Sequence, residues 1–333
     1  MNKSINPHDK LFKEVLSRRE NIIDFLNNYL PEDVLNLIDL NTIKIEKDSF
    51  IQKDLEEYFS DILYKVMFSD NEGYIYMLFE HKSYPHRLVV FQLLRYMLEI
   101  WELHRKQAPL EPLPVIIPMV LYHGAQKWNI KTSLADIISG PKDILNEYIP
   151  DFSYILYDLS RYSDEEIKGV VTLKIGLLLF KHIFDPDFPQ QLQGILSLLK
   201  EVINTRTGVE TLETVLRYIF SAANNITVDE LKQMVEENID RDRGEGVMTL
   251  ADRLREEGVQ QGVQQGVQQG MQLGVKQTLL ATIKLSLNTR FGKNWLNTYK
   301  KIKDIEDIDT LQAISEAIIL GKDIKDIEEM IIC

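Results

Sequence analysis

The chain has 333 residues, 44% of them hydrophobic and 27% charged, with a formal net charge of −13. That balance excludes a wholly disordered chain. The acidic total argues against non-specific coating of nucleic acid, which needs many cationic phosphate contacts. The single cysteine, Cys333, is the last residue, which excludes a disulfide framework and a cysteine-ligated zinc site. The opening MNKSINPHDK has no apolar core, and no apolar run approaches the roughly 18 residues of a membrane span. A soluble, cytoplasmic protein with no membrane partner is expected.

Leu11, Phe12, Val15, Leu16, Ile22, Ile23, Phe25, Leu26 and Tyr29 recur at helical spacing and predict one amphipathic helix over 9–29, ended by Pro31. TIKIEKDSFI (42–51) predicts a strand. FSDILYKVMF (59–68) and YIYMLFEHK (74–82) predict two more, with Gly73 just before the second, so the pair reads as a hairpin. Leu88, Phe91, Leu94, Tyr96, Leu98 and Trp101 return to helical spacing over 87–106. VIIPMVLY (115–122) suits a strand buried on both faces, although Pro118 counts against it.

Beyond 130 the pattern is mainly helical, with one short strand at 154–158 and helical segments at 166–183, 190–203, 209–223 and 227–240. Gly258, Gly262, Gly266, Gly270 and Gly274 then recur every four residues in GVQQGVQQGVQQGMQLG. On a helix this spacing drifts by about 40° per repeat, and each glycine costs about 1 kcal/mol relative to alanine. The segment reads either as a helix offset by close packing on a partner or as a flexible Gln/Gly linker. Residues 275–333 resume amphipathic helix, with breaks near Gly292 and Gly321. The organisation expected is a domain over 1–240 (core about 5–130, helical extension 131–240) and a repeat with helical tail over 241–333.

The chemistry concentrates on the hairpin. Glu80 and Lys82 alternate onto one face of their strand, and Asp61 lies near the end that the hairpin brings back beside Glu80. Two carboxylates are hard ligands suited to Mg²⁺ or Mn²⁺, and a bound metal can activate water and stabilise phosphoryl charge. A lysine two residues away can neutralise developing negative charge. Alone, E-x-K is common and reads as an ordinary surface ion pair; Asp61 upstream and the order of elements strengthen the catalytic reading. Gln92 and Tyr96 share a face of the next helix. Gln92 can orient water or a phosphate, and Tyr96 can bond a phosphate, stack on a base, or simply be core. His81 faces away from Glu80 and Lys82, His123 reads as a turn residue, and His86, Arg87 and Arg95 give a cationic surface near the hairpin.

The order helix, three strands, helix, strand, with D…ExK on the hairpin, resembles the PD-(D/E)XK nuclease superfamily. The following Q-x-x-x-Y is similar to its RecB-like branch. The stretches HDKLFKEVL, NNYLPEDVLNLIDL, SDILYKV, YIYMLFEHKS, FQLLRYMLEIWE and IIPMVLYHGAQKW resemble more closely the Rpn recombination-promoting nucleases, also described as YhgA-like transposases. The likeness covers residues 5–130 in detail and continues more loosely to about 240. It implies an α/β fold with a PD-(D/E)XK nuclease-like core and a helical C-terminal extension. The activity implied is a divalent-metal-dependent DNA endonuclease using Mg²⁺, Mn²⁺ or another divalent metal, linked to recombination or mobile elements. Asp61 and Glu80 would hold the metal, Lys82 would be the catalytic lysine, and Gln92 would join the site, with Tyr96 as an accessory. Many members carry Gln where this chain has Lys82, so the fuller pattern is kept here. Asp9 or Glu14 from the first helix is a further accessory candidate, and Asp9 serves equally well as a helix N-cap. The partners expected are DNA and a second copy, in a dimer formed through the C-terminal region. The alternative is a catalytically inactive nuclease-fold scaffold. A strand-joining transposase is a weaker reading, since no helix-turn-helix or zinc finger is evident.

Overall fold

The computed structural model describes residues 6–46, 60–80, 86–124, 126–223, 225–239, 241–292, 295–305 and 307–332. It divides the chain into two compact units, residues 3–251 and 252–333. The first opens with α1 (Pro7–Leu16), α2 (Arg19–Tyr29) and the single-turn α3 (Glu32–Leu35), followed by β1 (Ile38–Ile45), β2 (Ser60–Phe68) and β3 (Asn71–Glu80). Then come α4 (Val89–Gln107), β4 (Val115–Tyr122), the short α5 (Lys142–Leu145) and β5 (Ile155–Asp158). The rest is helical: α6 (Val171–His182), α7 (Phe188–Leu198), α8 (Arg206–Ala222), α9 (Val228–Asn238), α10 (Arg241–Phe291), α11 (Trp295–Ile302), α12 (Ile308–Ile319) and α13 (Ile324–Ile332).

The five strands form one sheet in sequence order. β1, β2 and β3 are antiparallel neighbours, whereas β3, β4 and β5 run parallel. A parallel step needs a crossover, and α4 supplies the one from β3 to β4. One sheet face, bearing Leu63, Tyr74, Tyr76, Leu78, Ile116, Val120 and Tyr122, packs on the buried stripe of α4 formed by Val89, Val90, Leu93, Tyr96, Met97 and Ile100. The other face meets α1 and α6. Phe12 stacks on Phe79 with centroids 4.6 Å apart, Phe180 meets the same ring at 4.8 Å, and the Tyr64 hydroxyl donates to the Leu16 carbonyl at 2.9 Å.

Several expectations from sequence need correction. The helix over 9–29 is two helices, broken at Ser17 and Arg18. Asn21 sends its side-chain amide back to the Val15 carbonyl at 2.8 Å, which ties the two together. The first strand begins earlier than expected, at Ile38, and residues 47–59 lie outside the described residues. The hairpin turns at Ser69 and Asp70, with Ser69 at φ 51°. Gly73 is therefore no turn residue. It pairs with Val66 inside β3, and a Cβ there would stand 2.9 Å from the Val115 carbonyl oxygen. Pro118 sits inside β4, opposite Tyr76. It is tolerated because β5 pairs only with 119–122, so among the described residues one side of β4 has no strand partner there.

The Gly/Gln repeat is helix, continuous within the 51 residues of α10, rather than a linker. In the second unit, Ile283 and Leu287 of α10 close a separate core with Ile302, Leu311, Ile314, Ile318 and Ile327. Among the described residues, no helix is long and apolar enough to cross a membrane.

Gly208 lies in the first turn of α8, where its N–H donates to the Thr205 cap. A Cβ at this position would stand 1.9 Å from the Val202 carbonyl oxygen, a backbone atom that cannot step aside. Gly208→Ala is expected to lower stability by about 2–3 kcal/mol, despite alanine's better helix propensity. Urea unfolding checks this, and an unchanged or raised midpoint would contradict it.

Candidate active site

The register of the hairpin builds the site. Asp61, second residue of β2, stands opposite Leu78. Glu80 follows two residues later, so both carboxylates project from the same face at the same end of the sheet. That is the face covered by α4. Asp61 is half-buried, and Glu80 is only 3% exposed. A carboxylate so deeply buried requires a cation or hydrogen bonds around it.

Tyr76 fixes Asp61. Its ring is 1% exposed, on the same face two residues before Leu78, and its hydroxyl donates to Asp61 Oδ2 at 2.7 Å. Burial, with the Asp61 charge adding to it, pushes the Tyr76 phenol well above its ordinary value. The hydroxyl therefore keeps its proton and remains a donor. Across β4, Tyr122 pairs in register with Glu80. Its phenol is pushed up to about 12 by burial, with the charges of Asp158 and Glu80 adding to it.

Asp158 ends β5 beside Tyr122 and is 2% exposed. It accepts from the Trp128 N–H at 3.0 Å, the Ser160 hydroxyl at 2.7 Å and Arg161 Nε at 3.0 Å. Arg161 also donates to the Trp128 carbonyl at 2.6 Å. These bonds pin the segment after β4 to the end of the sheet. Sequence reasoning passed over Asp158, although a lone acid closing an apolar strand was a usable signal.

On α4, Gln92, Tyr96 and Glu99 follow an i, i+4, i+7 lane along one flank of the buried stripe. The lane runs beside Asp61. The Tyr96 phenol is raised by burial first and the Asp61 charge second. Burial also raises the Glu99 carboxyl, with Arg95 opposing and Asp61 adding to the rise. The Tyr96 ring is 2% exposed and 5.2 Å from Tyr76, so it belongs to the core and is closed to base stacking as it stands. Gln92 Nε2 and Glu99 Oε2 are buried atoms with no hydrogen-bond partner among the described residues. Glu99 escaped the sequence reading, although its spacing from Gln92 and Tyr96 was sufficient to find it.

The remaining expected residues fall elsewhere. Lys82 and His81 lie outside the described residues. Asp9 is in the first turn of α1, on the opposite face of the sheet, but it is not the N-cap. Asn6 is, accepting from the His8 N–H at 3.0 Å. Glu14 lines a small cavity among the helices with Arg18, Asn21, Thr172 and Thr211. His123 is 2% exposed, stacked on Phe79 at 4.7 Å, and its Nδ1–H donates to the Phe180 carbonyl at 3.2 Å.

The donor set fits a hard divalent cation. Magnesium is held by one or two carboxylates with waters completing its shell, and Asp61 and Glu80 offer two. Among the described residues, no group of three His, Cys, Asp or Glu side chains gathers as a metal site.

The comparisons with known proteins agree in one direction. The family described as "Putative transposase, YhgA-like" matches residues 6–210. The chain is 31% identical over 258 residues to Recombination-promoting nuclease RpnA of Escherichia coli K12, covering 77% of this chain and 86% of that protein. It is equally identical, over the same length, to the Inactive recombination-promoting nuclease-like protein RpnE of the same strain, covering 77% and 83%. Recombination-promoting nuclease RpnD of Escherichia coli O157:H7 is 29% identical over 252 residues, covering 74% and 94%. No solved structure matches. The chain belongs to the YhgA-like transposase family, to which these recombination-promoting nucleases are its relatives.

Proposed function

We propose that this protein is a divalent-metal-dependent DNA endonuclease with a PD-(D/E)XK-type core. The observation that carries the reading is the placement of Asp61 and Glu80 on one face at one end of the sheet, the face covered by α4. Relatives named as nucleases support it. The relative named inactive shares the same identity, so overall likeness does not separate a cutting enzyme from an inactive scaffold. Lys82 favours cutting, because a scaffold has no need of a lysine two residues beyond Glu80.

Asp61 and Glu80 would hold Mg²⁺ or Mn²⁺. When bound, such an ion supplies Lewis-acid stabilisation of a phosphoryl oxygen and lowers the pKa of water. Tyr76 holds Asp61 in place through Oδ2. Lys82 would neutralise charge on the phosphate under attack. The Gln92 amide, with a buried nitrogen to satisfy, would orient water or a phosphate oxygen.

Cutting both strands of a duplex favours two sites, so we place a dimer contact on α10. Val259, Val263, Val267 and Met271 recur every four residues there, each about 60% exposed. A row of apolar side chains beside glycines allows two helices to approach closely.

Three measurements test these readings. Plasmid nicking with Mg²⁺ or Mn²⁺ at low salt should fall by about 100-fold or more in Asp61→Ala and in Lys82→Ala, and should vanish with chelator. Equal cutting by all three proteins would remove the site. Tyr76→Phe should leave the fold intact yet raise the Mn²⁺ concentration for half-saturation about tenfold, read by calorimetry and by cutting. Sedimentation velocity should show a dimer in the full chain and a monomer in the Val263→Glu, Val267→Glu double variant. A monomer throughout would exclude the dimer.

A further inference from the structure

The outward face of α4 is anomalous. A surface helix normally turns polar residues to water. Here the face opposite the buried stripe carries Leu88 (53% exposed), at the N-cap, then Phe91 (58%) and Leu98 (49%). Arg87 and Arg95 flank Leu88 and Phe91, while Leu98 lies beyond them beside Glu99 and the exposed Glu102; both arginines are exposed, and Arg95 is the more fully solvated partner of a 3.5 Å pair with Glu99. Solvent on the Arg95 side screens this i, i+4 pair, which leaves the guanidinium open to another anion.

Two features identify what meets this face. The first is size. A stable protein interface buries about 800 Å² on each partner, far more than three side chains spread over about three helical turns supply. The second is charge. In a chain of net charge −13, apolar side chains bracketed by two arginines complement a phosphate backbone with stacked bases between. Position agrees with both. Tyr96 and Glu99 of α4 feel the Asp61 charge, so DNA whose backbone reached Asp61 would lie alongside this helix.

We propose that Phe91, assisted by Leu88, is an apolar wedge that enters a base step of the DNA, with Arg87 and Arg95 on the flanking phosphates. The inference rests on the nuclease reading of the Asp61 and Glu80 edge. It names the form of substrate: a duplex that can be unstacked at or beside the cut. Inserting Phe or Leu side chains between base pairs costs stacking, least where the step is already weak. The enzyme therefore selects deformable or mismatched steps rather than a base sequence.

The test uses the full chain with Ca²⁺ and short duplexes carrying 2-aminopurine, either paired or beside a mismatch. Wild type should raise 2-aminopurine fluorescence and bind the mismatched duplex about tenfold more tightly than the paired one. Phe91→Ala should lose both effects with an unchanged melting temperature, because the ring is exposed. Phe91→Trp should retain them. Arg95→Gln should weaken binding to both duplexes alike and lower the salt dependence, leaving the fluorescence rise in place. Equal unstacking by wild type and Phe91→Ala would overturn the wedge while leaving the nuclease untouched. Unstacking by a wild type that never cuts with Mg²⁺ or Mn²⁺ would sustain the wedge and remove the nuclease. Loss of self-association in Phe91→Ala, with no change in DNA binding, would assign the face to a second copy and overturn the proposal.

Discussion

Everything at the candidate site depends on the register of β2 against β3. Asp61 faces α4 only because it pairs with Leu78. A slip of one residue would send Asp61 to the face of α1 and bring Ile62 toward α4. The register is held by burial on both sides. Leu63, Tyr74, Tyr76 and Leu78 fit against α4, while Tyr64, Phe79 and their neighbours fit against α1 and α6. A sheet packed on both faces penalises a slip twice. The glycine in β3 adds a third lock, since Gly73 is the residue that lets Phe68 and Val115 approach so closely.

This explains why much of the fold was legible. Alternation and apolar runs placed β2, β3, β4 and β5 within a few residues, and helical spacing placed α4, α8 and α9. What failed was what the period of the pattern does not encode. The break at Ser17 and Arg18 preserves hydrophobic spacing on both sides, so only the bond from Asn21 to the Val15 carbonyl marks it. Gly73 carries the composition of a turn, but tertiary contact assigns it to a strand. Asn6 and Asp9 are both good caps by type, and backbone geometry alone chose Asn6.

The site was legible to a different degree. Asp61 and Glu80 on strands and Gln92 and Tyr96 on a helix stood out by spacing, and of these Tyr96 lies in the core. Tyr76 did not, because it serves the site through the tip of a ring whose body is core. Glu99 did not, because a single acid on a helix normally reads as solvent-facing. Asp158 was hidden for the converse reason. Its four bonds come from Trp128, Ser160 and Arg161, and the one from Trp128 bridges thirty residues of sequence. Of these partners only Trp128 arrives from another loop, and that contact is the part local pattern does not register.

The position of the chemical groups on the sheet has an evolutionary consequence. The aromatic and aliphatic stripe of α4 holds the helix to the sheet, while Gln92 and Glu99 stand on its flank and Asp61 is only half-buried. Replacing these rim residues removes chemistry while sparing most of the packing. A lineage carrying this architecture could thus shed the chemistry proposed here by a few substitutions and still produce a folded protein, free to be kept for some other use.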